Sequence, residues 1–177
     1  MSENFNLDNA IRKIKDFPIP GVLFYDITSI MMNPVAFKWV IDQMVSIYKD
    51  KDIGAIAAVE SRGFIFGAPM AERLGIPMIL VRKSGKLPGD TIKTSYKLEY
   101  GEAEIEIHTA DITKGHNVLI VDDLLATGGT LKATAELLVE GGAIVTDVFS
   151  VIGLPFLNYS KMLDGLNITT LINYDSE

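Results

Sequence analysis

The chain has 177 residues, 48% of them hydrophobic and 22% charged, which is ordinary for a globular protein long enough to bury a core as one domain. With no cysteine and only His108 and His116 as histidines, disulfide frameworks, thiol nucleophiles and Cys- or multi-His zinc sites are excluded. A net charge of −7 runs against nucleic-acid binding, and no apolar run reaches membrane-spanning length, so the expected setting is cytoplasmic, without nucleic-acid or membrane partners.

In chain order, Leu7, Ile11 and Ile14 are spaced for a short amphipathic helix that stops before "FPIPG", where two prolines impose an extended path. Pro34 suits a first helical turn, and Phe37, Val40, Ile41, Met44, Val45 and Tyr48 mark one face of the helix behind it. "GAIAAV" (54–59) predicts a strand, "ESRGFIFGAPMAERLG" a turn and helix, and "IPMILV" (76–81) the next strand. The segment "RKSGKLPGDTIKTS" that follows is polar and without periodicity. Its composition offers little to bury, so a mobile loop over 83–95 is expected. "YKLEY" and "EIEIH" alternate as a hairpin with one wet face, on which Glu99, Glu102, Glu104 and Glu106 look alike. Then come a strand over 118–121, a helix over 130–138, a strand over 144–154 and a terminal strand near "ITTLIN".

Apolar strands that alternate with helices predict an α/β fold with a central parallel sheet covered on both faces. Ligands bind such sheets beyond the carboxyl ends of the strands. Glu60-Ser61-Arg62, Arg82-Lys83 and Asp122-Asp123 all follow strands, so they should gather on one edge as the site.

The stretch "VLIVDDLLATGGT" then poses a question, because two acids precede a turn built to hold a phosphate. Gly128 and Gly129 let the backbone turn tightly, the following helix offers free N–H groups, and Thr127 and Thr130 add hydroxyls. Neither GxxxxGK[ST] nor GxGxxG is present, so this is not a nucleotide P-loop or a dinucleotide fingerprint. The carboxylates of Asp122 and Asp123 suit sugar hydroxyls instead. A ligand with a phosphate and a vicinal diol, such as ribose 5-phosphate, satisfies both halves. Arg82, Lys83, Lys86, Lys93 and Lys97 face a single acid, Asp90, within residues 82–97. That cationic concentration in an acidic chain suits pyrophosphate.

These residues resemble the type I phosphoribosyltransferases. "VLIVDDLLATGGT" is similar to their phosphoribosyl-diphosphate loop, in the LLATGGT form of the adenine-specific branch. "FPIPGVLFYDIT" resembles the base-binding segment, "ESRGFIFG" the diphosphate loop, and "RKSGKLPG…SYKLEYG…EIH" the flexible loop and its hairpin. The four motifs stand in the family's order along nearly the whole chain. The resemblance implies one phosphoribosyltransferase domain over 1–177, with a flexible-loop hairpin and a small N-terminal base-binding hood. It implies purine salvage, with adenine and phosphoribosyl diphosphate giving AMP and pyrophosphate, and a homodimer. Mg²⁺ is expected to be held mainly by ligand oxygens, with Asp122 and Asp123 as candidate protein ligands.

By the same resemblance Glu99 is the general acid/base on the purine, and Val22, Phe24, Tyr25 and Leu154 contact adenine. Ser61, Arg62, Lys83 and Lys86 face pyrophosphate, and the diphosphate loop carries a cis peptide between its first two residues. Asp122 and Asp123 hold the ribose hydroxyls, and Ala126, Thr127, Gly128, Gly129 and Thr130 hold the 5′-phosphate. Behind Pro20-Gly21 the extended backbone of 22–25 has N–H and C=O groups to read a purine edge. Three positions depart from the family pattern: Tyr25 where Arg is usual, Gly153 where an acid commonly precedes Leu154, and Tyr159 in place of a frequent Gly. On the sequence two other readings stay open. One is transfer to xanthine or another base; the other is a ligand-sensing regulator, which should carry a DNA-binding domain or a basic face.

Overall fold

The structure, a computed structural model, describes residues 5–97 and 101–176. The predicted first helix is a single 3₁₀ turn, Leu7–Ala10, capped by the Asn6 side chain. The chain then enters strand β1 (Arg12–Lys15), which pairs antiparallel with β2 (Leu23–Asp26). The helical spacing misled because Leu7 and Ile11 are buried whereas Ile14 is not, and strand pairing overrides the local period. Asp16 accepts the N–H of Gly21, whose φ of +91° closes the turn between the strands.

A short helix α1 (Thr28–Met31) leads into α2 (Pro34–Tyr48). The Asn33 side chain accepts the Ala36 N–H, and Pro34 occupies the first turn, where its missing N–H costs nothing. Strand β3 (Ala55–Val59) is buried throughout and feeds α3 (Gly63–Leu74), which Gly75 ends at φ +67°. Next come β4 (Met78–Lys83), the hairpin of β5 (Thr91–Lys97) and β6 (Glu102–His108), and β7 (Asn117–Leu125). Helix α4 (Gly129–Glu140), β8 (Ile144–Gly153), α5 (Tyr159–Met162) and β9 (Asn167–Asn173) complete the chain.

The main sheet has the order β5-β6-β4-β3-β7-β8-β9. From β4 to β9 its ladders are parallel, and β6 and β5 are added antiparallel at one edge. Side chains alternate across the sheet and feed two cores. One contains Ile56, Ala58, Leu119 and Val121 with Val40, Met44 and Phe66 of the helices. The other contains Ala57, Val59, Val118 and Ile120 with Leu131, Leu137 and Leu138 of α4.

The polar segment differs from expectation. Thr91–Ser95 belongs to β5, in continuous register with β6, so irregular chain is confined to Ser84–Asp90. Ile92 and Tyr96 pack against the second core, which is the apolar burial that composition alone concealed. Glu106 is not on a wet face either, being 1% exposed.

Candidate active site

Parallel register brings the ends of three strands level, with Val59 opposite Val81 and Ala58 opposite Val121. Beyond them lies a cleft of about 310 Å³ lined by Ser61, Arg62, Lys83, Asp122, Asp123 and Thr130, together with Glu60, Arg82, Tyr96 and Leu124. The expected convergence of three strand ends is therefore present. A smaller hollow of about 90 Å³ adjoins it, formed by Asp122 and residues 124–131.

That hollow is the glycine turn. Gly128 has φ +85°, a conformation that strains any residue with a Cβ, and it lies against Leu163, Met162 and Tyr159. Helix α4 starts at Gly129 with no side chain capping it, so its first N–H groups point into the hollow with a favourable dipole for an anion. The Thr130 hydroxyl donates to the Tyr96 hydroxyl at 3.1 Å, which ties the turn to the β5–β6 hairpin.

The two acids lie within β7, not in a loop, so they alternate across the strand. Asp122 accepts the backbone N–H of Asp123 at 2.8 Å. Helix α3 approaches so closely that a Cβ on Gly63 would meet the Val121 carbonyl at 2.9 Å and Asp122 Oδ1 at 3.1 Å. Burial, followed by the neighbouring Asp123 charge, pushes the Asp122 carboxyl well above the usual carboxylate range. Asp123 is 4% exposed, and its Oδ2 lies 2.6 Å from Nε of the more exposed Arg62. The contact is an ion pair without hydrogen-bond alignment, because no donor among the described residues points at Oδ2. Arg62, expected toward pyrophosphate, thus rests on the acid expected to hold a ribose hydroxyl. The peptide between Glu60 and Ser61 is cis.

The basic segment is partly neutralised from within. Arg82 forks onto Glu60 at 3.2 and 3.3 Å and donates to the Lys86 carbonyl at 3.1 Å; Glu60 also accepts the Lys83 N–H. These bonds from Arg82 hold the Glu60 carboxyl below its ordinary value. Glu106 accepts the N–H groups of Lys86 and Leu87 at 2.7 and 2.8 Å and pairs with Lys93 at 3.2 Å. Burial alone would raise the Glu106 carboxyl, but these donors outweigh it and hold it at about 2. Two of the five cations, Arg82 and Lys93, are therefore occupied. Lys83 and Lys86 are exposed and form no ion pair among the described residues.

The residues expected to contact the base lie apart from this cleft lining. Phe24 is half-buried and meets Phe17 edge-on at 5.0 Å, and Leu154 follows β8 and packs on the first core. The Tyr25 ring turns into the core, 6% exposed and stacked on Tyr174, so its side chain does not face the cleft. The Val22 N–H is committed to the Ile19 carbonyl, and its C=O accepts from Phe17, so the expected free backbone edge is narrower than residues 22–25. Glu99 lies outside the described residues. The sequence reading missed Tyr96, Leu124 and the ties of Glu60 and Glu106. Only the alternation of β7, which puts Leu124 on the face of Asp122, offered a signal.

Residues 27–150 match the family model described as the phosphoribosyl transferase domain. The adenine phosphoribosyltransferase of Treponema denticola is 57% identical over 171 residues, 97% of this chain and 90% of that protein. Among solved structures, the adenine phosphoribosyltransferase of Thermoanaerobacter pseudethanolicus superposes with a TM-score of 0.91 at 44% identity, covering 95% of this chain and 98% of that one. The Saccharomyces cerevisiae enzyme, crystallised with adenine and an imino-altritol bisphosphate, gives 0.88 at 38% identity over 94% and 96% of the two chains. Together with a cleft that joins an anion-binding turn to paired acids, this likeness over nearly the full length makes the chain a member of the adenine phosphoribosyltransferase family.

Proposed function

We propose that the protein transfers the phosphoribosyl group of phosphoribosyl diphosphate to adenine, forming AMP and releasing pyrophosphate, in purine salvage. The observation that carries this reading is the adjacency of three features at one sheet edge: the Gly128–Gly129 turn, Asp122 with Asp123, and the Arg62 and Lys83 cations. In that frame the α4 N-terminus, with Ala126 to Thr130, takes the 5′-phosphate. Asp122 and Asp123 accept from the ribose hydroxyls. Ser61, Arg62, Lys83 and Lys86 face the pyrophosphate as it leaves an oxocarbenium-like ribose. Arg62 exchanges Asp123 for the pyrophosphate, which frees Asp123 Oδ2 as an acceptor.

The adjacent carboxylates of Asp122 and Asp123, with Asp123 Oδ2 buried and without a hydrogen-bond donor among the described residues, fit a Mg²⁺ ion that would take most of its ligands from substrate oxygens. Asp122 and Asp123 are the protein groups that would support it, and its contribution when bound is to neutralise charge on the leaving group. Glu99 exchanges the purine proton, and Phe24 and Leu154 flank the base. We further propose a cytoplasmic homodimer.

The test is pyrophosphate release with a panel of purines. A backbone carbonyl of the Leu23–Tyr25 edge accepts the 6-amino group, and an N–H donates to N1. Hypoxanthine reverses both groups. Two buried mismatches should favour adenine by about 10⁴ or more in kcat/KM. Comparable turnover of a 6-oxopurine would overturn the adenine assignment while leaving the phosphoribosyl half standing.

A further inference from the structure

The two residues that flank the base come from separate parts of the chain, and one residue beyond the site holds both. Phe24 sits on β2 of the small sheet; Leu154 follows the last residue of β8 in the main sheet. Tyr174, just after β9, donates its backbone N–H at 3.0 Å to the carbonyl of Gly153, the residue before Leu154. Its ring stacks on Tyr25, the residue after Phe24, with centroids 3.8 Å apart and planes at 13°. Its hydroxyl donates to Asp8 Oδ1 at 2.6 Å, and Asp8 also accepts from Lys13 at 2.8 Å. Lys13 is the β1 partner of Tyr25 and lies 5.2 Å from the centroid of the Tyr174 ring. Both strands of the small sheet are thus anchored to one C-terminal side chain. A two-stranded sheet is marginal by itself, so such anchors decide where it sits.

We infer that Tyr174 is a positioning residue for adenine, setting the spacing between Phe24 and Leu154 by clamping the β1–β2 hood to the end of β8 without touching the base. This rests on the reading that Phe24 and Leu154 flank adenine. The three departures in the chain lie around this anchor. A Cβ on Gly153 would overlap Asn173 Oδ1 and lie 2.9 Å from the Tyr159 hydroxyl, so no acid fits there. Tyr159 fills that space and reaches toward Asn173, the residue before Tyr174. Tyr25, in turn, supplies the face on which Tyr174 stacks.

The test is pyrophosphate release with adenine and phosphoribosyl diphosphate varied separately. Tyr174→Leu keeps apolar bulk but loses the stack, and should raise the adenine KM by up to about tenfold, the worth of a well-formed aromatic pair, with the other KM unchanged. Tyr174→Phe keeps the stack and should recover most of the loss. Gly153→Ala keeps the Tyr25 and Tyr174 side chains but crowds Asn173 and the Tyr159 hydroxyl, and should move the adenine KM in the same direction even if Tyr174→Leu does not fold. Phe24→Ala and Leu154→Ala serve as controls. If neither changes the adenine KM, the base-site reading fails, and this inference with it. If they raise it while Tyr174→Leu and Gly153→Ala do not, or if those two raise both KM values together, the positioning role is overturned.

Discussion

At the proposed phosphoribosyl end of the site, β3, β4 and β7 lie in the interior of a seven-stranded sheet, and their ends deliver Ser61, Arg62, Lys83 and the two acids. At the proposed base end, Phe24 and Tyr25 lie on a two-stranded sheet, with Val22 just before it, and the other strand is exposed at all four positions. The first region is positioned by backbone ladders that no single side chain can move. The second is positioned by side chains, namely a tyrosine stack and an Asp8 hydrogen bond. Charge recognition should therefore fail locally when one group is removed, whereas base recognition should be sensitive to distant geometry.

The largest effect should come from the chemistry common to both ends. Glu99→Gln is expected to keep both KM values and lower kcat by about 10²–10⁴, the range for one general acid/base. A kcat within the error of the parent would remove Glu99 from the mechanism.

The paired acids sharpen the phosphoribosyl side. Asp123→Asn should weaken phosphoribosyl diphosphate by about 1.5–3 kcal/mol, the loss of a charge-assisted hydrogen bond, or about 10- to 150-fold. Asp122→Asn should weaken it as well, yet its stability effect should have the opposite sign to a simple loss. The carboxyl of Asp122 is raised in the folded chain, so its contribution is full below the unfolded value near 3.8 and is lost as pH rises through the folded value. At neutral pH the charged form is a burden on the fold. Thermal melts at pH 7 should show Asp122→Asn at or above the parent. A marked drop there would contradict the burial argument, even with binding impaired.

The smallest effect on turnover should come from Glu106, which tests whether the basic segment is anchored or free. Its carboxyl falls from an ordinary value of 4.5 to about 2, so the unfolded chain binds more protons between those values. The stabilisation is full above about 4.5 and disappears as pH falls through about 2. Glu106→Gln should lower Tm near neutrality, with the gap to the parent closing across that window, and should make Ser84–Asp90 easier to cleave by limited proteolysis. Equal cleavage of parent and variant would mean that Lys86 and Leu87 are not held by this carboxylate.

The periodicity of the chain carried the order of strands and helices, because apolar runs such as 55–59 and 118–121 can be satisfied only inside a doubly covered sheet. The glycine turn before α4 was equally legible, since a positive φ at Gly128 is a local demand that few residues meet. Sequence also singled out Lys83 and Lys86, but it could not separate them from Arg82 and Lys93. Their counter-charges, Glu60 and Glu106, lie 22 and 13 positions away and meet them only through strand pairing. For the same reason Glu106 was indistinguishable from Glu102 and Glu104, although it alone of the three is buried. Leu7–Ile14 show the limit from the other side: a helical period was present, and pairing with β2 overrode it. Composition, turn chemistry and hydrophobic period are properties of neighbouring residues and can be read along the chain. Which charge meets which, and which ring stacks on Tyr25, depends on contacts between residues up to about 150 positions apart, which only the packed sheet and its last strand bring together.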